Sequence, residues 1–336
     1  MECESDMTSL LILDSGSRVP LIRRFVEDSR KYEKCIRIIA GDCSKTAPAL
    51  YVADDMVILP RVDEKSYISD LIRECKNKQV EMIIPLWEED LIKISKNKNI
   101  IENEGIKCLV SDHRTISLCQ DKKKMNEFLK ENKYSTIETV ENMDEFKKKI
   151  NKFPVIMKKK NGCGSKNIRI VNMKENLEKY FNSDEEYIVQ PIIKGKEIGI
   201  DIYVDMISHQ VVSIFAKEKL LMRNGETNKS ISIKDKKLFD FIKQYVERLN
   251  FIGPIDIDLF EIDNKYFIFD VNPRFGGGYL HAHECNVKFT EMILNNLLGF
   301  ENNVAIGEYD EGIMMMKYSD VKIVNIKDEE NSYSND

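Results

Sequence analysis

No two of the eight cysteines (3, 35, 43, 75, 108, 119, 163 and 285) form a C-x-x-C pair, so the chain encodes neither a zinc knot nor a disulfide framework. Scattered thiols of this kind suit a reducing cytosol. No apolar run approaches the roughly 20 residues that span a bilayer, and residues 1–6 are acidic where a secretory signal would be basic. A cytoplasmic protein with no membrane partner is therefore expected. Excess charge of one sign is also missing. A net charge of −6 speaks against a general nucleic-acid binder, and the lysine runs at 122–124 and 158–160 are local. Three catalytic signatures are absent as well. No G-x-G-x-x-G follows an early strand, since the turn at 14–17 holds one glycine; Ser165 and Asn167 break a Walker loop around Lys166; and His281-Ala282-His283-Glu284 lacks the H-E-x-x-H spacing of a zinc protease.

What is present is an acid-rich hairpin at 251–279. The run 255–262 alternates Ile255, Ile257 and Leu259 against Asp256 and Asp258, the period of a strand with one apolar face. Asp263-Asn264-Lys265 signals a turn, and the run 266–271 returns to put Asp270 and Asn272 on one face. A hairpin brings Asp258 beside that pair. Oxygen ligands alone suit a hard cation such as Mg2+, which is usually shared with substrate phosphates. Arg274 follows at once and offers a bidentate phosphate contact, and 276–278 is a glycine turn. Asp256 is the weakest of the acids as a ligand.

The first third reads as strands at 9–13, 35–40 and 82–85 alternating with helices through Phe25 and across 67–76, which predicts a parallel α/β sheet. Trp87, Glu88 and Glu89 follow the third strand, where ligands often sit in such sheets, although acids there also simply open the next helix. Further on, a helix over 121–130 carries Lys122 in its first turn, and a buried strand at 153–157 delivers Lys158. The loop 161–167, with Gly162, Gly164 and Ser165, lets backbone N–H groups approach phosphate oxygens. A strand at 187–193 is interrupted by Pro191, which suggests a free edge against which an adenine pairs. Glu197 stands just beyond, within reach of ribose. Strands at 198–206 and 211–217 form a hairpin, 223–227 reads as a polar loop before a helix at 236–250, and one more strand is expected at 312–318.

In order along the chain, FPVIMKKKNGCGSKNI, YIVQPIIKGKEIGID, DLF and FDVNPRFGGG resemble the ATP-grasp family, particularly its carbamoyl-phosphate-synthetase-like members and small amino-acid ligases. The resemblance covers about 122–298. It implies α/β and α+β architecture: a parallel α/β domain at 1–115 that precedes the grasp, a small lobe with the glycine loop at 116–186, a C-terminal lobe with the metal site at 187–318, and a polar tail at 319–336. It implies that Lys122 and Lys158 contact ATP phosphates beneath the loop of Gly162, Gly164 and Ser165. Gln190, Pro191, Ile192 and Ile193 then flank the adenine, and Glu197 binds the ribose. Asp258, Asp270 and Asn272 hold Mg2+, with Mn2+ as the alternative ion, and Arg274 meets the transferred phosphoryl group. Asp270 stands where glutamate is usual in the family. Lys158, Asn272 and Arg274 are thus the candidate catalytic residues of an ADP-forming carboxylate-amine ligase that passes through an acyl phosphate. A carboxylate kinase and a regulatory nucleotide-binding module are the alternatives. Small carboxylates and amines are the implied partners, with Trp87, Glu88, Arg223, Arg274 and His281 the candidate walls of their pocket, and a homodimer through the first domain is expected.

Overall fold

The apolar run near the start folds as β1 (Thr8–Leu13), every residue of it buried, as expected of a parallel strand covered on both faces. It is followed by α1 (Val19–Ser29), β2 (Ile36–Asp42), β3 (Asp55–Ile58), α2 (Tyr67–Asn77), β4 (Val80–Pro85), α3 (Glu88–Glu102) and β5 (Lys107–Cys108). The five strands are parallel in the order β3-β2-β1-β4-β5. The order reverses between β1 and β4, and at such a switch point the carboxyl ends of the strands leave a crevice. Arg18, at the start of α1, and Trp87 and Glu88, at the start of α3, stand at those ends. The computed structural model describes residues 7–160, 168–183, 185–223 and 225–325.

Two further sheets follow. Helices α4 (His113–Gln120), α5 (Lys122–Glu131) and α6 (Met143–Lys149) lead into β6 (Val155–Lys159), β7 (Arg169–Val171), α7 (Lys174–Phe181) and β8 (Tyr187–Pro191), an antiparallel sheet ordered β7-β6-β8. The rest builds a six-stranded sheet from β9 (Lys196–Val204), β10 (Val211–Arg223), β11 (Glu226–Ile233), β12 (Gly253–Ile262), β13 (Lys265–Asn272) and β14 (Met314–Met316), with α8 (Lys236–Val246), α9 (Leu280–Glu284) and α10 (Phe289–Leu297). Its order is β13-β12-β9-β10-β11-β14, with antiparallel pairing throughout. The β12–β13 turn has Asp263 and Asn264 at φ 48° and 58°, the left-handed pair that a two-residue hairpin of the right twist requires.

The N-terminal sheet and the large sheet share one core. Leu10, Ile12 and Phe25 pack in the same apolar cluster as Tyr203, Phe275, Tyr279 and Phe289, and the Phe25 and Phe275 rings meet edge to face at 6.0 Å. This shared packing fixes the switch-point crevice against the strands that carry Asp256, Asp258 and Asp270. Among the described residues no helix is long and apolar enough to cross a membrane.

The main departure from the sequence reading lies at 217–233. β10 continues to Arg223 and pairs with β11, so Arg223, Glu226 and Thr227 of the expected polar loop are paired strand residues, and Asn224 lies outside the described residues. Lys217, Glu218 and Lys219 hide the strand, because two of its side chains point into a charged site where alternation of apolar residues is lost. α8 ends at Val246, four residues before the expected 250.

Candidate active site

A cavity of about 430 Å³ opens between the three sheets, walled by Lys122 and Lys158 on one side and by Asp256, Asp258, Asp270 and Asn272 on the other. Local structure explains each position. Asp121 caps α5 by accepting hydrogen bonds from the N–H groups of Lys123 and Lys124, both at 3.1 Å, which sets Lys122 in the first turn. A bridge between Thr136 and Ile268 then ties the segment after α5 to β13. Lys122 Nζ consequently lies 4.0 Å from Asp270 Oδ1. Lys158 shares the cavity face of β6 with Ile156, opposite the buried Val155 and Met157, and its Nζ lies 5.7 Å from the centre of the Phe269 ring.

The acids come from register. Asp258 pairs with Asp270 and Asp256 with Asn272 across β12 and β13, while Asp256 faces Asp201 and Asp258 faces Gly199 on β9. Carboxylates directly opposite each other repel, and lysines offset the repulsion here. Lys219, 4 % exposed, reaches to 2.5 Å from Asp258 Oδ1 and 3.3 Å from Glu197 Oε1. Gly199 leaves the room for it, since a Cβ there would sit 2.8 Å from the Lys219 side chain. Burial, with Asp256 and Asp270 nearby, pushes the Asp258 carboxyl up to about 7 in spite of Lys219. Burial acts the same way on Asp270, but Lys122 and Lys158 hold it below the usual carboxylate range. Burial brings the Lys158 ammonium down to about 8, with Asp270 opposing.

Asn272 Nδ2 donates to Asp270 Oδ2 at 3.3 Å and to Asp256 Oδ2 at 3.4 Å. The donor set of Asp258, Asp270 and the Asn272 amide is all oxygen on the ligand side, and it joins two opposed carboxylates that a cation would relieve. Those properties fit Mg2+, which takes one or two carboxylates and completes its shell with phosphate and water oxygens. Among the described residues no group of three or more His, Cys, Asp or Glu side chains is disposed to hold an ion.

At the nucleotide end, Gln190, Pro191, Ile193 and Glu197 line the cavity. Gln190 is buried and donates to Thr139 Oγ1 at 2.7 Å. Ile192, on the alternate face, is 37 % exposed and stands outside the wall. Gly162, Gly164, Ser165 and Cys163 lie outside the described residues.

Arg274 is held from the N-terminal domain. Its Nη2 and Nε donate to Glu88 Oε1 at 2.6 and 3.1 Å, and Nη1 approaches Asp256 Oδ2 at 3.5 Å. Of the expected substrate-pocket residues, Trp87, Glu88 and Arg274 line the cavity, whereas Arg223 and His281 do not. His281 is a packing residue: it is 1 % exposed, with Ser230 Oγ at 2.8 Å and the Ile313 carbonyl at 3.0 Å from its two ring nitrogens. Burial pushes its imidazole down to about 4.

Sequence reasoning missed Arg18, Lys219 and the buried Lys217–Asp201 ion pair; Asp256, the weakest of the acids as a ligand, lines the cavity with the others. Lys217 and Lys219 are two apart on β10, and that spacing was the available signal. Gly277 and Gly278 line the cavity, and a Cβ on Gly276 would stand 2.5 Å from Asp256 Oδ1 and 3.1 Å from Asp201 Oδ1. The turn thus seals the acids from above.

A nucleotide-sized cavity between two antiparallel sheets, with lysines facing carboxylates, is the arrangement of a grasp-type ATP-binding protein. Residues 119–278 match the ATP-grasp domain and residues 10–109 the PylC-like N-terminal domain; the chain thus carries an ATP-grasp domain over 119–278. A carbamoyl-phosphate synthase of Methanobrevibacter smithii is 28% identical over 176 residues, 51% of this chain and 46% of that protein. The chain spans less than half the length of the curated relatives it matches. Among solved structures, N5-carboxyaminoimidazole synthetase from Staphylococcus aureus complexed with ADP has a TM-score of 0.69 at 18% identity, covering 88% of this chain and 78% of that one. The biotin carboxylase domain of Hydrogenobacter thermophilus 2-oxoglutarate carboxylase, in complex with MgADP, ADP and bicarbonate, has a TM-score of 0.72 at 14% identity, with coverages of 91% and 73%. These two likenesses show the fold.

Proposed function

We propose that the chain is an ADP-forming carboxylate-amine ligase that activates a carboxylate as its acyl phosphate. The observation that carries this reading is the facing of Lys122 and Lys158 with Asp258, Asp270 and Asn272 across one cavity that ends at Arg274. Phosphoryl transfer asks for positioning and for cations around developing charge, and no protein nucleophile is required. A substrate carboxylate oxygen attacks the γ-phosphorus of ATP and ADP leaves; an amine nitrogen then attacks the acyl carbon, and phosphate leaves with the proton count balanced by loss of the amine proton.

In this reading Lys122 and Lys158 bind phosphate oxygens, and Asp270 keeps both ammonium groups aimed into the cavity. Gln190, Pro191 and Ile193 border the adenine, and Glu197, steadied by Lys219, accepts from ribose hydroxyls. Asp258, Asp270 and Asn272 are the residues that would hold Mg2+, which supplies charge neutralisation at the phosphates when bound. Arg274, aimed by Glu88, faces the transferred group. The apolar walls at Ile137, Ile156 and Phe260 lie beside Gln190 and Glu197 and border the base of the nucleotide.

The test is incubation with ATP, Mg2+, hydroxylamine and a panel of amino acids and small carboxylates. Hydroxamate formed together with ADP and phosphate is the expected result. A stable phosphorylated product without phosphate release would identify a kinase instead, and ADP binding with no turnover across the panel would identify a binding module.

A further inference from the structure

Beyond the nucleotide and metal residues, the wall of the same cavity at the switch-point end carries two charged groups with hydrogen-bonding capacity to spare. Arg18 is one. It stands at the start of α1, and its side chain is about three-quarters buried, at 27 % exposure. Its nearest acid is Glu226 Oε1, 3.9 Å away, beyond hydrogen-bond reach, and Lys317 Nζ already holds that carboxylate at 2.7 Å. Among the described residues no hydrogen bond reaches the Arg18 guanidinium. A buried guanidinium has five donors, and leaving them unmade is costly. Burial lowers its proton affinity, with Glu226 opposing.

Glu88 is the other. Its side chain is 13 % exposed, and Oε1 is taken by Arg274. Oε2 is buried and has no hydrogen-bond partner. A buried carboxylate oxygen without a donor calls for one from the ligand. Trp87 precedes Glu88 and lines the same wall, presenting a flat apolar surface beside the two charges.

We propose that this end of the cavity is the site of the amine substrate, and that this substrate is a free amino acid bound as its zwitterion. Its carboxylate pairs with Arg18, its ammonium donates to Glu88 Oε2, and its side chain lies against Trp87. The polarity follows from the neighbours: Glu88 also holds Arg274, so the nitrogen is the group brought to the reacting end, while the carboxylate is kept away from the phosphoryl group. The proposal rests on the ligase reading and narrows its second substrate to one class.

The experiment is isothermal titration of each of the twenty common L-amino acids into the full chain saturated with ADP and Mg2+, followed by the carboxamide of the best binder. The expected result is one or more amino acids that bind, with the carboxamide about tenfold or more weaker because Arg18 loses its anionic partner. Arg18→Met should bring the amino acid down to the affinity of the carboxamide, and Arg18→Lys should fall between. ADP binding by both variants verifies that they fold. No binding by any amino acid, equal binding of the carboxamide, or an unchanged affinity in Arg18→Met would each overturn the proposal. Wild-type protein that traps hydroxamate but binds no amino acid loses the acceptor assignment alone. Protein that binds the zwitterion but traps no hydroxamate loses the ligase reading alone.

Discussion

Glu88, from the first turn of a helix in the N-terminal domain, holds Arg274, from the glycine turn of the grasp domain, through two hydrogen bonds at 2.6 and 3.1 Å. Both side chains are nearly buried, at 13 and 12 % exposure. The two domains therefore meet at Arg274, the residue proposed to face the transferred phosphoryl group.

Glu88→Gln should keep the side-chain shape and remove the charge that aims Arg274. Turnover is expected to fall on the order of ten- to hundredfold, the worth of a charge-assisted hydrogen bond, while ADP affinity is retained. Steady-state kinetics beside ADP titration checks this, and an unchanged kcat would show that Arg274 needs no such support.

Asp258 and Asp270 should separate in stability but not in function. Asp270 is favoured as a carboxylate by Lys122 and Lys158, whereas the charge of Asp258 is disfavoured by burial. In ligand-free protein Asp270→Asn is expected to lower the urea midpoint, and Asp258→Asn, which removes a disfavoured buried charge but leaves Lys219 to Glu197, to lower it less. Both should lose the stabilisation that Mg2+ adds to ADP. If Asp258→Asn keeps that Mg2+ effect, the metal assignment is wrong.

Lys217 and Asp201 form an ion pair in which each side chain is 1 % exposed. Lys217→Met strands a buried carboxylate and should destabilise the protein by about 3–5 kcal/mol. Adding Asp201→Leu should recover part of that loss, read by urea denaturation. Strict additivity of the two single effects would argue that the pair is not coupled.

Asp90 accepts a hydrogen bond from Tyr67, yet burial pushes its carboxyl up to about 7, and burial with Asp42 raises Asp14 to about 6. Unfolded aspartates titrate near 3.9. Between roughly pH 4 and pH 7 these two sites therefore hold protons in the folded state that the unfolded state has released, so their contribution to stability falls as pH rises through that window, while the buried neutral His281 contributes the opposite slope. Asp90→Asn should flatten the slope. A difference between wild type and Asp90→Asn that does not change with pH over the same range would contradict the protonated state of Asp90.

Much of the fold was legible because its signals are local. Continuous apolar runs announced β1, β2 and β4, the Asp263-Asn264 turn announced the β12–β13 hairpin, and helical spacing placed Lys122 in a first turn. β11 was not legible: the strand leading into it turns Lys217 and Lys219 toward charge, and β11 itself alternates small polar residues with few large apolar ones.

The sequence by itself determined the parallel sheet, the acid-bearing hairpin and the inventory of lysines, carboxylates and glycines, since these depend on periods of two and 3.6 and on turn chemistry within a few residues. Tertiary structure alone decided which of them meet. Arg18 and Glu88 enter the cavity because the shared core around Phe25 and Phe275 docks the switch point on the large sheet. Asp256 and Lys219 join it because strand register brings β9, β10 and β12 side by side. Contacts between residues 18, 88, 219 and 274 depend on packing across the whole chain, and no local pattern encodes that.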